Sequence, residues 1–138
     1  MKNTLQLVLL AVLSSAPLSV SSETNIALQI DADNAAELIQ GGPDAIGGID
    51  DWFLSNGTLC AIISDVEHEG EFSTKGGALV DLGYCDRNDD HYTQNQDLVD
   101  GKRTRPLNSY SISAKSSDTN ARVTVLSKEN GIELSTQY

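Results

Sequence analysis

The chain has 138 residues, 39% of them hydrophobic, and carries 20 acidic against nine basic residues, so its formal net charge at pH 7 is −11. A surface this acidic repels phosphate backbones, which excludes nucleic acid as a ligand. Seventeen of the acidic residues precede position 101, whereas six of the basic residues follow position 100. The length is sufficient for one modest hydrophobic core.

The first 22 residues have the organisation of a secretory signal peptide. Lys2 supplies a positive start, residues 5–13 form an apolar segment, and Ser21 and Ser22 mark the predicted cleavage position. The apolar segment is short for a bilayer span, so an uncleaved membrane anchor is the less favoured alternative. We expect residues 23–138 to form a β-rich domain that is secreted or periplasmic, with no stable membrane anchor after cleavage.

One short helix is predicted ahead of the strands. Asn34 and Glu37 have the spacing of a capping box, and Gly41 is placed to end the helix after about two turns. No long helical pattern follows anywhere in the chain, which indicates a mainly β fold.

The segment 50–64 contains the strongest hairpin signal. Two runs of strand-favouring residues flank Asn56-Gly57, a pair that suits the positive φ angles of a type I′ turn. Counting outward from a two-residue turn predicts the cross-strand pairs Leu54–Leu59, Trp52–Ala61 and Phe53–Cys60. Both faces of this ribbon are apolar, so we expect both to be covered.

Further strands are predicted over residues 78–82 and through the C-terminal part. Tyr110 and Ile112 alternate with polar residues, and Asn130-Gly131 repeats the hairpin signal. The predicted fold is an antiparallel β-sandwich, or part of one, with at most one short helix. Because the strand pattern continues to Tyr138, we also expect the chain to be the start of a larger domain or protein.

The two cysteines are Cys60, in the second strand of the hairpin, and Cys85, after the next apolar run. Export favours a disulfide between them, and two buried thiols that never meet are the alternative. The sequence contains no CxxC motif, so a zinc site built on cysteine is not indicated.

Four residues have the spacing of oxygen ligands in a calcium loop: Asp86, Asn88, Asp90 and Asp97. His91 stands where an EF-hand turn needs glycine, and no helical pattern flanks the segment. A solvated acidic turn is therefore the alternative to a calcium site.

His68 and His91 suggest a second kind of metal site. Two imidazoles with a nearby carboxylate, from Glu69, Asp89 or Asp90, are a legitimate ligand set for catalytic zinc or iron. The two histidines lie 23 positions apart and outside any HExxH spacing. No GxSxG or other catalytic motif is present, so the sequence assigns no catalytic residue.

Turn and core residues between positions 41 and 92 carry a family resemblance. The succession is Gly47-Gly48-x-x-Asp51-Trp52-x-Leu54-x-Asn56-Gly57-x-x-Cys60, followed by Gly76-Gly77-x-Leu79-x-Asp81-Leu82-Gly83. It resembles the amino-terminal β-rich region of large secreted bacterial proteins, some of which carry a metallohydrolase domain of the polymerase-and-histidinol-phosphatase type further along the chain. The resemblance implies a β-sandwich, of the mutarotase-like super-sandwich kind, and transfers no catalytic residue.

The predicted function is that of an exported, non-catalytic β-sandwich module that binds carbohydrate, a partner or the rest of a larger chain. The aromatic residues available for stacking on a sugar are chiefly Tyr84, Tyr92, Tyr110 and Tyr138. The alternative function is the accessory amino-terminal part of a secreted metal-dependent hydrolase.

Overall fold

The computed structural model describes residues 25–69, 75–95 and 108–138. The predicted signal peptide and Asp97 lie outside these described residues. The described elements are β1 (Ile26–Gln29), α1 (Ala35–Leu38), β2 (Trp52–Ser55), β3 (Leu59–Ile63), β4 (Leu79–Tyr84), β5 (Asn108–Ser117), β6 (Asn120–Glu129) and β7 (Ile132–Gln137).

The strands form two antiparallel sheets, which confirms the predicted mainly β fold. The first sheet has the order β1-β2-β3-β4, and the second has the order β5-β6-β7. The two sheets meet along β1 and β5, where the Ser116 hydroxyl accepts from the Ala27 N–H at 2.7 Å and donates to the Ala27 carbonyl at 3.1 Å. One side chain thus satisfies both main-chain groups of a residue on the outer edge of β1.

Both faces of the first sheet are covered, as the apolar hairpin predicts. One face packs on the second sheet through a cluster of Ala27, Ile63, Val123 and Val125. The opposite face holds a second cluster of Ile30, Phe53, Cys60, Ile62 and Val80, against which Ala35 and Leu38 of α1 pack. The helix therefore covers an apolar cluster that lies outside the interface between the two sheets.

The turn between β2 and β3 differs from the prediction by one residue. Leu54 pairs with Ala61, and the Asn56 N–H donates to the Leu59 carbonyl, so Gly57 and Thr58 are the central residues. Gly57 alone has positive φ there, at 85°. The predicted type I′ turn and its register are therefore wrong, and glycine in the first central position is the arrangement of a type II′ turn.

Side-chain hydrogen bonds explain the shift of the turn. The Asn56 side chain accepts from the N–H groups of Thr58 and Leu59, and the Ser55 hydroxyl accepts from the Gly57 N–H. These bonds fix Asn56 before the bend rather than inside it. Each partner moves by two positions, so the residues predicted to share a face still do so.

The same dipeptide behaves as predicted between β6 and β7. Glu129 pairs with Ile132, and Asn130 and Gly131 both have positive φ, at 50° and 80°.

In β5, a register irregularity between Ser109 and Ser111 leaves Tyr110 half exposed. The predicted alternation of Tyr110 with Ile112 on one face is wrong because this bulge intervenes.

The predicted capping box is also wrong. The helix is one turn long, and the side chain of Asn34 makes no capping hydrogen bond. It accepts from the Asp31 N–H instead, while Asp31 accepts from the N–H groups of Asp33 and Asn34. This local turn competes with the cap and consumes its acceptor.

Candidate functional site: the turn-end pocket and the acidic loop

The Cys60–Cys85 disulfide fixes the segment after β4 to the hairpin. The two Cα atoms lie 4.9 Å apart, within the range that a disulfide spans. The Cys85 N–H donates to the Thr58 carbonyl at 3.0 Å, and the Ser55 hydroxyl lies 3.4 Å from the Cys85 sulfur. The β2–β3 turn and the segment that begins at Cys85 are thus held side by side.

A pocket lies between these two turns, and we call it the turn-end pocket. It has a volume of about 460 Å³ and is lined by Gly57, Thr58, Tyr84, Cys85, Asp86 and Arg87. The Tyr84 side chain is exposed, and the Arg87 guanidinium lies 4.8 Å from the centroid of its ring. The Asp86 carboxylate lies 3.7 Å from the Arg87 guanidinium, and both side chains are exposed. The pocket therefore offers an aromatic ring, a cation, an anion and a hydroxyl to one ligand.

The residues predicted for the calcium loop have different surroundings. Asp86 faces solvent in the turn-end pocket, and Asn88 accepts from the Gly41 N–H at 3.2 Å. Asp90 is fully buried, and its Oδ1 accepts from the N–H groups of Leu82 and Tyr92 at 2.8 and 3.1 Å. Asp86 and Asn88 are therefore exposed, whereas Asp90 is buried and accepts a hydrogen bond from the free edge of β4.

The two histidines pair with different aspartates. His68 Nδ1 lies 2.8 Å from the Asp51 carboxylate, which is buried, whereas His91 lies on the surface 3.8 Å from Asp44. Within the described residues, no group of three or more His, Cys, Asp or Glu side chains is positioned to hold one metal ion. The predicted zinc or iron site at His68 and His91 stays a prediction. Among the described residues, each histidine pairs with a different aspartate, and no third ligand joins them.

Sequence reasoning missed the structural role of the buried aspartates. The Asp81 carboxylate accepts from the N–H groups of Ile46 and Gly47 at 2.9 and 2.8 Å. Asp51 accepts from the N–H groups of Gly48 and Asp65 at 2.8 and 2.7 Å. These bonds attach the turn-rich approach to the hairpin to the first sheet.

Burial raises the pKa of Asp81, the two backbone hydrogen bonds oppose that rise, and the nearby charges of Asp90 and Asp51 add to it. The sequence signal for this role was a lone acid inside an apolar strand, Ala78-Leu-Val-Asp-Leu82.

Comparison of the chain with protein-family models, curated proteins and solved structures found no match. No helix among the described residues is long and apolar enough to cross a membrane.

Proposed function

We propose that the chain is an exported, non-catalytic β-sandwich module that binds carbohydrate in the turn-end pocket. The observation that carries the proposal is the disulfide-held juxtaposition of Tyr84, Asp86 and Arg87 beside Thr58. The C–H faces of a sugar ring pack on an aromatic ring, and its hydroxyls bond to charged and hydroxyl side chains. All of these groups line one pocket.

Rigidity of the pocket supports binding. The disulfide, the Cys85–Thr58 hydrogen bond and the bond from the Arg87 N–H to the Tyr84 carbonyl at 3.1 Å hold the segment before a ligand arrives. A preorganised site loses less conformational entropy on binding, so more of the contact energy becomes affinity.

The carboxylates around the pocket support binding over hydrolysis. Asp86 is the one carboxylate among the described residues that line the turn-end pocket, whereas cleavage of a glycosidic bond uses a pair. The buried aspartates Asp51, Asp81 and Asp90 are engaged with backbone N–H groups. These hydrogen bonds indicate a structural role for the three side chains.

Export is supported by two features. The first 22 residues have the pattern of a signal peptide, and a disulfide persists in oxidising compartments outside the cytoplasm. The alternative, an accessory amino-terminal part of a secreted metal-dependent hydrolase, stays a prediction from the resemblance, because no specific contact in the described residues favours it.

The test is isothermal titration of the exported chain against a panel of oligosaccharides that differ in linkage and charge. We expect at least one glycan to bind and Tyr84→Ala to weaken it about tenfold or more, which corresponds to roughly 1.4 kcal/mol. Asp86→Asn should weaken the same glycan by losing a charged acceptor.

Tyr110→Ala is the matched control. Tyr110 is also half exposed, but it lies on the second sheet and bonds to Glu133 at 2.7 Å. Equal losses in the two tyrosine variants, or no binding of any glycan at millimolar concentration, would overturn the proposal.

A further inference from the structure

Two buried polar side chains near the end of β4 have unsatisfied atoms. Gln40 is 8% exposed, and neither its amide oxygen nor its amide nitrogen has a hydrogen-bond partner among the described residues. Asp90 is fully buried, and its Oδ2 also lacks a partner there, although its Oδ1 accepts two N–H groups. A buried polar atom without a partner destabilises the folded state, and a charged one does so more strongly.

Two side-chain oxygen atoms, one from Asp89 and one from Gln40, lie close to the same position over Gly83 of β4, beside the main chain of Asp90. A Cβ atom placed on Gly83 would lie 2.9 Å from Asp89 Oδ1 and 3.1 Å from Gln40 Oε1. The main-chain nitrogen of Asp90 lies 3.6 Å from the same position. The two oxygens approach one position on the strand because glycine places no side chain there. We call Gln40, Asp89 and Asp90 the Gln40–Asp90 cluster.

The two segments that supply the cluster are in direct contact. The Gly41 N–H donates to Asn88, and the Asp90 N–H lies 3.5 Å from the Gly41 carbonyl. A Cβ on Gly42 would lie 2.5 Å from the Asp90 carbonyl, so these backbones are packed as closely as glycine permits.

The local charge is negative. Asp89, Asp90 and the nearby Asp81 contribute three carboxyl groups, and the charge of Asp90 helps to raise the pKa of Asp81. Among the described residues, no lysine or arginine forms an ion pair with any of the three. A cation would satisfy the unpaired oxygens and reduce this repulsion at the same time.

We propose that the Gln40–Asp90 cluster binds one calcium ion, with Gln40 Oε1, Asp90 Oδ2 and the Asp89 carboxylate as protein ligands. Calcium takes oxygen ligands of mixed type, including amide and carboxylate oxygens, in flexible geometry and completes its shell with water. The ligand set differs from the spacing-based prediction. Asp86 faces solvent, and the single amide oxygen of Asn88 accepts the Gly41 N–H. Asp89 Oδ1 accepts the Tyr84 N–H at 3.1 Å, but a carboxylate has further acceptor capacity for an ion, so Gln40 and Asp89 replace Asp86 and Asn88 in the ligand set.

The site is independent of carbohydrate binding. It joins the chain around Gln40 to the chain around Asp90, and its occupation stabilises the folded state because the unfolded chain has no such site. The turn-end pocket keeps its own disulfide, so failure of either proposal leaves the other standing.

The experiment is calcium titration of the exported chain after chelator treatment, followed by calorimetry and by the thermal unfolding midpoint. We expect one ion per chain and a midpoint that rises with calcium concentration. Asp90→Asn keeps an oxygen for the Leu82 and Tyr92 N–H groups but replaces the free carboxylate oxygen by an amide. It should weaken calcium binding by about tenfold or more.

Two further variants make the result decisive. Gln40→Glu adds a charged ligand in nearly the same volume and should tighten calcium binding about tenfold. Asp86→Asn, in the same segment but exposed, should bind calcium as the unmodified chain does.

A flat titration at millimolar calcium in both the unmodified chain and Gln40→Glu would mean that a buried water satisfies these oxygens, and it would overturn the proposal. Loss of binding in Asp86→Asn would equally overturn this ligand set, in favour of the spacing-based loop. Gln40→Glu decides the matter even if Asp90→Asn fails to fold.

Discussion

At the scale of single residues, buried aspartates accept backbone hydrogen bonds that a neighbouring strand accepts in a β-sheet. Asp51, Asp81 and Asp90 are fully buried, and each accepts two backbone N–H groups, all of them from segments outside the strands except the Leu82 N–H on the free edge of β4. An ionised carboxylate accepts several such bonds, which offsets part of the cost of its burial. Long turn-rich segments can therefore pack on the first sheet without leaving their donors unpaired.

We predict that Asp81→Asn destabilises the protein in a pH-dependent way. The amide keeps one acceptor, so one of the Ile46 and Gly47 N–H groups loses its partner, at a cost of about 1–3 kcal/mol. Burial raises the pKa of Asp81 above its ordinary 3.8, so the folded state binds this proton more tightly than the unfolded chain does. The stability of the unmodified protein therefore falls as pH rises from about 3.8 through the raised pKa.

The unmodified protein therefore exceeds Asp81→Asn in free energy of unfolding by an amount that shrinks as pH rises through that window and is constant above it. Urea unfolding between acidic and neutral pH measures this difference, with Asp86→Asn as the exposed control. An advantage that grows with pH would contradict a raised pKa.

At the scale of elements, the two Asn-Gly turns show how far a short motif predicts geometry. Asn130-Gly131 forms the expected two-residue turn, with both residues at positive φ. At Asn56-Gly57 the same pair is displaced because side-chain hydrogen bonds from Ser55 and Asn56 hold the chain one residue longer before it bends. The dipeptide predicts a hairpin, and its neighbours decide the register.

Gly57→Val should reduce the free energy of unfolding by about 1–3 kcal/mol, because a β-branched residue is strained at φ 85°. Thr58→Val is the matched control, since Thr58 is already β-branched, lies in the same turn and does not have positive φ. Chemical denaturation of both variants gives the comparison. Equal stability of the two would show that the bend does not depend on glycine at this position.

At the scale of the whole molecule, the sequence predicted the sandwich because strands and turns are encoded by neighbouring residues. Alternating apolar residues and turn dipeptides can therefore be identified without knowing the tertiary contacts. The two covered faces of the hairpin followed from the apolar residues at successive positions, Trp52 to Leu54 and Leu59 to Ile63. The turn-end pocket could not be predicted, since it needs Thr58 and Asp86, 28 positions apart, to meet through a disulfide. Gln40 gave no signal at all, because its burial depends on tertiary packing.

Removal of the disulfide should affect both stability and the proposed binding. The bridge closes a loop of 25 residues, so replacing both Cys60 and Cys85 by serine should reduce the free energy of unfolding by about 3 kcal/mol. The turn beside Thr58 would then retain only its hydrogen bonds, and glycan affinity should fall even where the double variant is fully folded.

Two measurements separate these effects. Denaturation gives the stability loss, and titration with a bound glycan at a temperature well below the unfolding midpoint gives the loss of preorganisation. Calcium binding at the Gln40–Asp90 cluster is the internal control. The contacts of Gly41 with Asn88 and Asp90 hold its ligand segments together, so calcium binding should persist in the folded double variant. A double variant that keeps full glycan affinity would mean that the hydrogen bonds alone hold the pocket, since the covalent tie would then contribute only to the unfolded-state entropy.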